Sequence, residues 1–229
     1  MKPTIVRKIA RPDADIVRSL RELGVATVHE AQARTGLMRP YMRPIYPSVR
    51  AAGAAITILC HAGDNIMIHA AIELCREGDI LVVSTDSEST DGMFGELLAE
   101  SARAHGVAGL IIDAGVRDVA DLTQMQFPVW SKAISAQGTV KASPGSVNIP
   151  IVCAGAIVRP GDVIVGDTDG VVVVKREAAP EVARLSAERA AKEQKNREQL
   201  KVGALGLDMY GLRAKLAELG VRYVDEADD

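Results

Sequence analysis

A chain of 229 residues can bury one generous hydrophobic core, and with 48% hydrophobic but only 3% aromatic residues that core must be built from Val, Ile, Leu and Ala. A net charge of −3, with acids and bases interspersed, gives no electrostatic footprint for nucleic acid. No apolar run reaches the roughly 18 residues of a membrane span, and Met1 to Lys8 holds no apolar leader segment, so the expectation is a soluble, cytoplasmic protein with no membrane partner.

In chain order, Asp13 to Leu23 places Ile16, Val17, Leu20 and Leu23 at helical spacing, and Gly24 supplies the stop. Thr27-Val28-His29-Glu30 fits a capping box opening a second helix that runs to about Gly36. Arg39 to Pro44 is expected as a loop, because its two prolines interrupt a ladder, and Arg50 to Cys60 as a strand. A helix from Asp64 to near Gly78, a buried strand at Ile80 to Val83, a polar loop at 84–92, a helix from about Phe94 to His105 and a buried strand at Gly109 to Asp113 follow. That alternation predicts an α/β layer structure. After residue 125, short strands take over at 127–130, 147–152, 163–165 and 171–174, with turns at 159–162 and 167–170. A charged helix from Ala179 to about Lys201 and a last helix carrying Leu212, Leu216 and Leu219 close the chain, with no internal repeat and no interdomain linker.

Cys60, Cys75 and Cys153 sit in apolar contexts without close pairing and read as small core residues in a reducing compartment. The four histidines show no zinc spacing.

The chemistry concentrates in one stretch: Glu96, then twenty residues, then Arg117-Asp118, with Asp121 three positions on. A helix opening at Glu96 and a strand ending near Asp113 would bring these groups to one sheet edge. A carboxylate there can bind Mg²⁺ or Mn²⁺, which accept few protein ligands. The Arg117 fork matches a carboxylate bidentately, and the N–H groups from Gly95 to Leu98 would open the helix unpaired. Each part also has a plain structural use: Glu96 complements the helix macrodipole, Arg117-Asp118 can be an ion pair, and Asp121 can cap the helix after Arg117.

Together with Gly24 to Gln32, Pro128-Val129-Trp130-Ser131-Lys132 and Gly206 to Leu212, this motif gives the chain a resemblance from Arg18 to Val224. It resembles the 4-hydroxy-4-methyl-2-oxoglutarate / 4-carboxy-4-hydroxy-2-oxoadipate aldolases, in the superfamily of the bacterial regulator of ribonuclease activity A. At Glu96 relatives often carry Asp, so this chain keeps the charge on a longer arm. The resemblance implies a layered α-β-β-α sandwich of the swivelling β/β/α type, a single domain over residues 1–229 with a C-terminal helical extension from about residue 179. It further implies a class II, divalent-metal-dependent pyruvate aldolase of aromatic-acid catabolism, with oxaloacetate decarboxylation as a side activity. Asp118 would bind Mg²⁺ or Mn²⁺ directly and Glu96 would hold a metal-bound water. Arg117 would clamp the oxo acid or its enolate, helped by main-chain amides of Gly95, Glu96, Leu97 and Leu98. An acid from a neighbouring subunit's C-terminal helix would complete the metal's outer shell, with Glu193 favoured over Glu188 and Glu198, in homotrimers or homohexamers.

Three other readings compete. One is a non-catalytic regulator binding an RNA-decay ribonuclease or helicase; the C-terminal extension speaks for the aldolases instead. A Schiff-base mechanism would need Lys132 in an apolar pocket. A methyltransferase finds no Gly-rich nucleotide loop.

Overall fold

Gly24 turns the first corner, its φ of 79° ending α1 (Ala14–Leu23) and at once opening α2 (Val25–Ala31). The expected capping box is absent, because Thr27 already lies inside the helix. The N–H of Val25 is satisfied from afar, by the buried carboxylate of Asp167 at 2.8 Å, so no local cap is needed. α2 therefore starts three residues earlier than expected, its N-cap being Gly24 rather than Thr27, and it stops at Ala31 rather than Gly36. Asp13 caps α1 as a short polar residue should, accepting from the N–H of Asp15.

The computed structural model describes residues 2–225, in two compact units, Met1–Ala187 and Glu188–Asp229. In the first unit the chain continues through β1 (Arg43–Pro44), β2 (Ala51–Cys60), α3 (Ile66–Ile72), β3 (Ile80–Thr85), β4 (Gly92–Phe94), α4 (Glu96–Ala104), β5 (Gly109–Val116), α5 (Val119–Gln124) and β6 (Val129–Ile134). Then come β7 (Ser146–Val147), β8 (Ile151–Cys153), β9 (Ala156–Val158), β10 (Val163–Asp167), β11 (Gly170–Val174) and α6 (Ala179–Lys201), within which the division between the units falls. The main sheet runs β1-β6-β5-β3-β2-β10-β11, with β4 beside β5 and β7 beside β2; β8 and β9 form a separate hairpin. Strands β2, β3, β5 and β6 are parallel. Of these, β3 and β5 are the near-continuous apolar runs that a strand covered on both faces needs, whereas β6 becomes exposed toward Ile134.

Two expectations are corrected here. Pro44 does enter a ladder, opposite Trp130, because β1 is an edge strand that needs no donor on its outer side. The loop expected at 84–92 is shorter, since Ser84 and Thr85 extend β3 and Gly92 already starts β4, which pairs with the end of β5.

The sheet curls until its edges nearly meet. Arg43 of β1 donates to the Asp169 carbonyl beside β11 at 2.7 Å, and Trp130 Nε1 of β6 donates to the Asp167 carbonyl at 2.8 Å. One face packs Ile56, Ile58, Leu81, Leu110 and Ile112 under α3, α4 and α5. The other packs Ile80, Val82, Ile111 and Trp130 against the β8–β9 hairpin. A third cluster seats α1, α2 and the start of α6 on β10 and β11. The result is the layered α/β sandwich expected, with each fully buried Val, Leu or Ile contributing about 1.5–3 kcal/mol. Cys60 and Cys153 are buried in these clusters and Cys75 partly so; burial pushes the Cys60 and Cys75 thiols up to about 12.

In the second unit, α7 (Gly206–Met209) and α8 (Leu212–Glu218) are separated by Gly211 in a left-handed conformation. Neither short helix buries a residue. Among the described residues no helix is long and apolar enough to cross a membrane.

Candidate active site at the edge of strand β5

Strand β5 runs through Asp113 to Val116, three residues beyond its expected end, and delivers Arg117 and Asp118 to its carboxyl edge. There β4 clamps the backbone, the N–H of Arg117 donating to the Phe94 carbonyl at 2.9 Å. Asp118 adopts the left-handed conformation, φ 53° and ψ 41°, a shape that Asp tolerates better than most residues. It sits at the N-cap of α5 but makes no side-chain cap there. Its Oδ2 instead accepts the N–H of Glu96 at 3.1 Å, joining β5 to the start of α4. Asp121, expected as the cap, lies within the first turn of α5.

Arg117 Nε stands 3.5 Å from Asp118 Oδ2, and both side chains remain partly open to solvent, at 46% and 38%. The pair lines a cleft of about 320 Å³ with Val119, Ile134, Ser135 and Ala136. Glu96 and Asp121 line a second cleft of about 290 Å³ with Glu100, Arg103, Gln124 and Met125. The hydrogen bond from Glu96 to Asp118 forms the ridge between them. The predicted groups therefore reach one edge but divide between two neighbouring hollows.

The first turn of α4 is less open to anions than expected, since Asp118 takes the Glu96 N–H. Leu97 and Leu98 still have no partner four residues back within the helix. Leu97 projects its side chain outward, whereas the Leu98 side chain is buried, so Leu98 can offer a ligand only its backbone. A Cβ at Gly95 would lie 2.2 Å from Asp118 Oδ2 and 3.0 Å from Arg117 Cγ, so a side chain there would push these two side chains aside.

The wall made by 134–136 carries no charged residue and was not legible as part of a site. It is held in place by the Ser135 N–H on the Val116 carbonyl at 2.9 Å and by the Gly92 N–H on the Gln137 carbonyl at 2.9 Å. Among the described residues no group of three or more His, Cys, Asp or Glu side chains is gathered for a metal. Lys132 is tied to Glu88 at 2.8 Å and sits over the Tyr41 ring, so it is not the isolated amine that a Schiff base needs. Glu193 pairs with Arg189 at 2.8 Å and Glu198 with Lys201 at 3.1 Å; these residues and Glu188 belong to the second unit.

The family model described as RraA-like, Aldolase/RraA, matches residues 22–173. A Halalkalibacterium halodurans protein provisionally named 4-hydroxy-4-methyl-2-oxoglutarate aldolase is 23% identical over 202 residues, covering 88% of this chain and 96% of its own. A Burkholderia multivorans protein with the same provisional name is 31% identical over 148 residues, 63% of this chain and 90% of its own. Among solved structures, Streptomyces coelicolor RraAS2, described as an unusual member of the RNase ES inhibitor RraA protein family, superposes with a TM-score of 0.73 at 25% identity, covering 82% of this chain and 100% of that one.

Proposed function

The chain belongs to the Aldolase/RraA family, and on that premise we propose that it is a divalent-metal-dependent pyruvate aldolase. Its substrates are branched 4-hydroxy-2-oxo acids: 4-hydroxy-4-methyl-2-oxoglutarate, cleaved to two pyruvates, and 4-carboxy-4-hydroxy-2-oxoadipate, cleaved to pyruvate and oxaloacetate. The observation that carries the reading is the convergence of Arg117 and Asp118 on one cleft at the carboxyl edge of β5, braced by the Glu96 N–H.

The donor set suits a hard ion. Asp118 offers one half-exposed carboxylate, and Mg²⁺ or Mn²⁺ accepts one or two such ligands while keeping its waters. Asp118 would hold the ion directly and Glu96 would reach it through water. When bound, such an ion acts as a Lewis acid on the 2-oxo group.

The protein's own groups do the rest. Loss of the C4 hydroxyl proton lets the C3–C4 bond break, and its electron pair flows into C3 and the 2-oxo oxygen. Negative charge thus develops where the Arg117 guanidinium can meet it, stronger in the transition state than in the ground state. The first-turn N–H groups of Leu97 and Leu98 add donors for the substrate carboxylate. Protonation at C3 then yields pyruvate. Oxaloacetate decarboxylation frees an electron pair at the same carbon, so one site serves both reactions. One acid from the C-terminal helix, Glu193 ahead of Glu188 and Glu198, completes the site of a neighbouring copy in a trimer or hexamer.

The test is to incubate the purified protein with either oxo acid and Mg²⁺ or Mn²⁺, with and without chelator, and to measure pyruvate. Metal-dependent release is expected; none under any condition would return the chain to the ribonuclease-regulator reading that the RraAS2 description suggests.

Gly95→Ala supplies a second check. The added methyl overlaps the far end of the Asp118 side chain, which can swing away, so the fold should persist. The carboxylate and Arg117 would then be displaced by about 1 Å, a shift that typically costs on the order of 10² in rate. A variant that turns over normally would show that the ridge does not position the chemistry.

A further inference from the structure

Asp64 and Asn65, the two residues before α3, are 1% and 7% exposed, and neither lines the Arg117 cleft. Their hydrogen bonds nevertheless run to both segments that shape it. The Asp64 carboxylate accepts the N–H of Ile66 at 2.9 Å and those of Ala142 and Ser143 at 2.6 Å each. The Asn65 N–H donates to the Val140 carbonyl at 3.1 Å. These bonds pin the far end of the segment that begins at the cleft wall, Ile134 to Ala136. The Asn65 side chain reaches β4 instead, Nδ2 donating to the Met93 carbonyl at 3.0 Å. One residue further on, the Phe94 carbonyl holds the Arg117 N–H at 2.9 Å.

Strand β4 needs such a brace. It has three residues and meets β5 only at Gly92 and Phe94, with the register shifting between them, so Met93 has no partner on that strand. A purely stabilising role explains Asn65 poorly. Its Oδ1 is buried and accepts no hydrogen bond among the described residues, and an empty buried acceptor costs stability. An apolar side chain would avoid that cost, but only a donor can hold the Met93 carbonyl. Resting on the aldolase reading, we infer that Asn65 is a positioning residue for the Arg117 guanidinium. Without touching substrate, it fixes the height of β4 and, through the Phe94 carbonyl, the backbone from which Arg117 projects. Asp118 keeps its own tie to the Glu96 N–H, so losing the brace displaces mainly Arg117.

The experiment measures kcat/KM for pyruvate release from 4-hydroxy-4-methyl-2-oxoglutarate in saturating Mg²⁺, beside thermal unfolding, for Asn65→Ala, Arg117→Lys and the double variant. Asn148→Ala is the control. Asn148 is an equally buried amide that donates to the Val6 carbonyl at 2.8 Å and also leaves Oδ1 without a partner, but it lines a different hollow with Lys8 and Arg159. Its φ of 57° makes alanine costlier there, so the control should lose at least as much stability. Asn65→Ala should lower kcat/KM about tenfold, less than the roughly 10² of a full 1 Å misplacement, while Asn148→Ala stays within about twofold of the unaltered protein. The double variant should match Arg117→Lys within about twofold, because residues acting through one group do not add. Asn65→Ser, whose hydroxyl stops one bond short of Nδ2, takes the place of Asn65→Ala if that variant does not fold. Unchanged kcat/KM in Asn65→Ala, a tenfold loss repeated in full on Arg117→Lys, or an equal loss in Asn148→Ala overturns the inference and leaves the aldolase reading standing. No pyruvate from the unaltered protein removes both, and is a visibly different result.

Discussion

Asp118→Ala is expected to lower metal-dependent pyruvate release by about 10³-fold, the upper range for loss of one electrostatic group at a reacting centre, with the protein still folded. The separation of the two effects follows from how the residue is built in. Its side chain does not cap α5, so removing the carboxylate leaves that helix end as it was. What is lost structurally is one acceptor for the Glu96 N–H in a partly exposed setting, worth about 1 kcal/mol. The left-handed backbone adds a penalty specific to alanine, because Asp and Asn sit there more readily than Ala. Asp118→Asn is therefore the cleaner comparison: it keeps the shape and the conformational preference but not the charge. Both variants should be inactive, and the Asn variant should melt close to the unaltered protein. Pyruvate release that survives in Asp118→Asn, measured alongside thermal unfolding, would separate this carboxylate from the chemistry.

Much of this architecture was legible because parallel strands announce themselves. Ile80 to Val83 and Gly109 to Ile112 are uninterrupted apolar runs, and only a strand covered on both faces asks for that. The helix opening at Glu96 was legible for the same kind of reason, since polar and apolar residues alternate at helical spacing up to Gly106. What failed was local reasoning about groups whose partners are remote. The Thr27 capping box satisfied every sequence rule, yet the helix opens upstream of it, where Asp167, 142 positions on, accepts the N–H of Val25. Strand β4 has three residues and pairs only with the tip of β5, too short for any period to register. The cleft wall at Ile134 to Ala136 is made of small and apolar side chains, which carry no chemical signature until Arg117 is seen beside them. Motifs of charge stand out in a sequence; the apolar side chains that line a cleft beside them look like filler.

Arg117→Lys is the sharper test, because it keeps the positive charge and changes only its form. A guanidinium presents a planar fork of donors, so it can hold a carboxylate through two parallel bonds and still face Asp118 through Nε, at 3.5 Å here. An ammonium is a single point on a flexible stem. Placed here it would be drawn toward Asp118 as a simple ion pair, leaving the substrate carboxylate or developing enolate unmatched. Arg117 is half-exposed, so the shorter-headed lysine meets no clash and the swap tests the form of the charge. The lysine variant should therefore lose about 10²-fold in kcat/KM, the scale of one lost oxyanion donor, with kcat falling as well as KM rising. A loss in KM alone would mean that Arg117 only recruits the anionic substrate. Near-normal values of both would mean that charge at this position suffices and that the fork takes no part in stabilising the broken bond's electron pair.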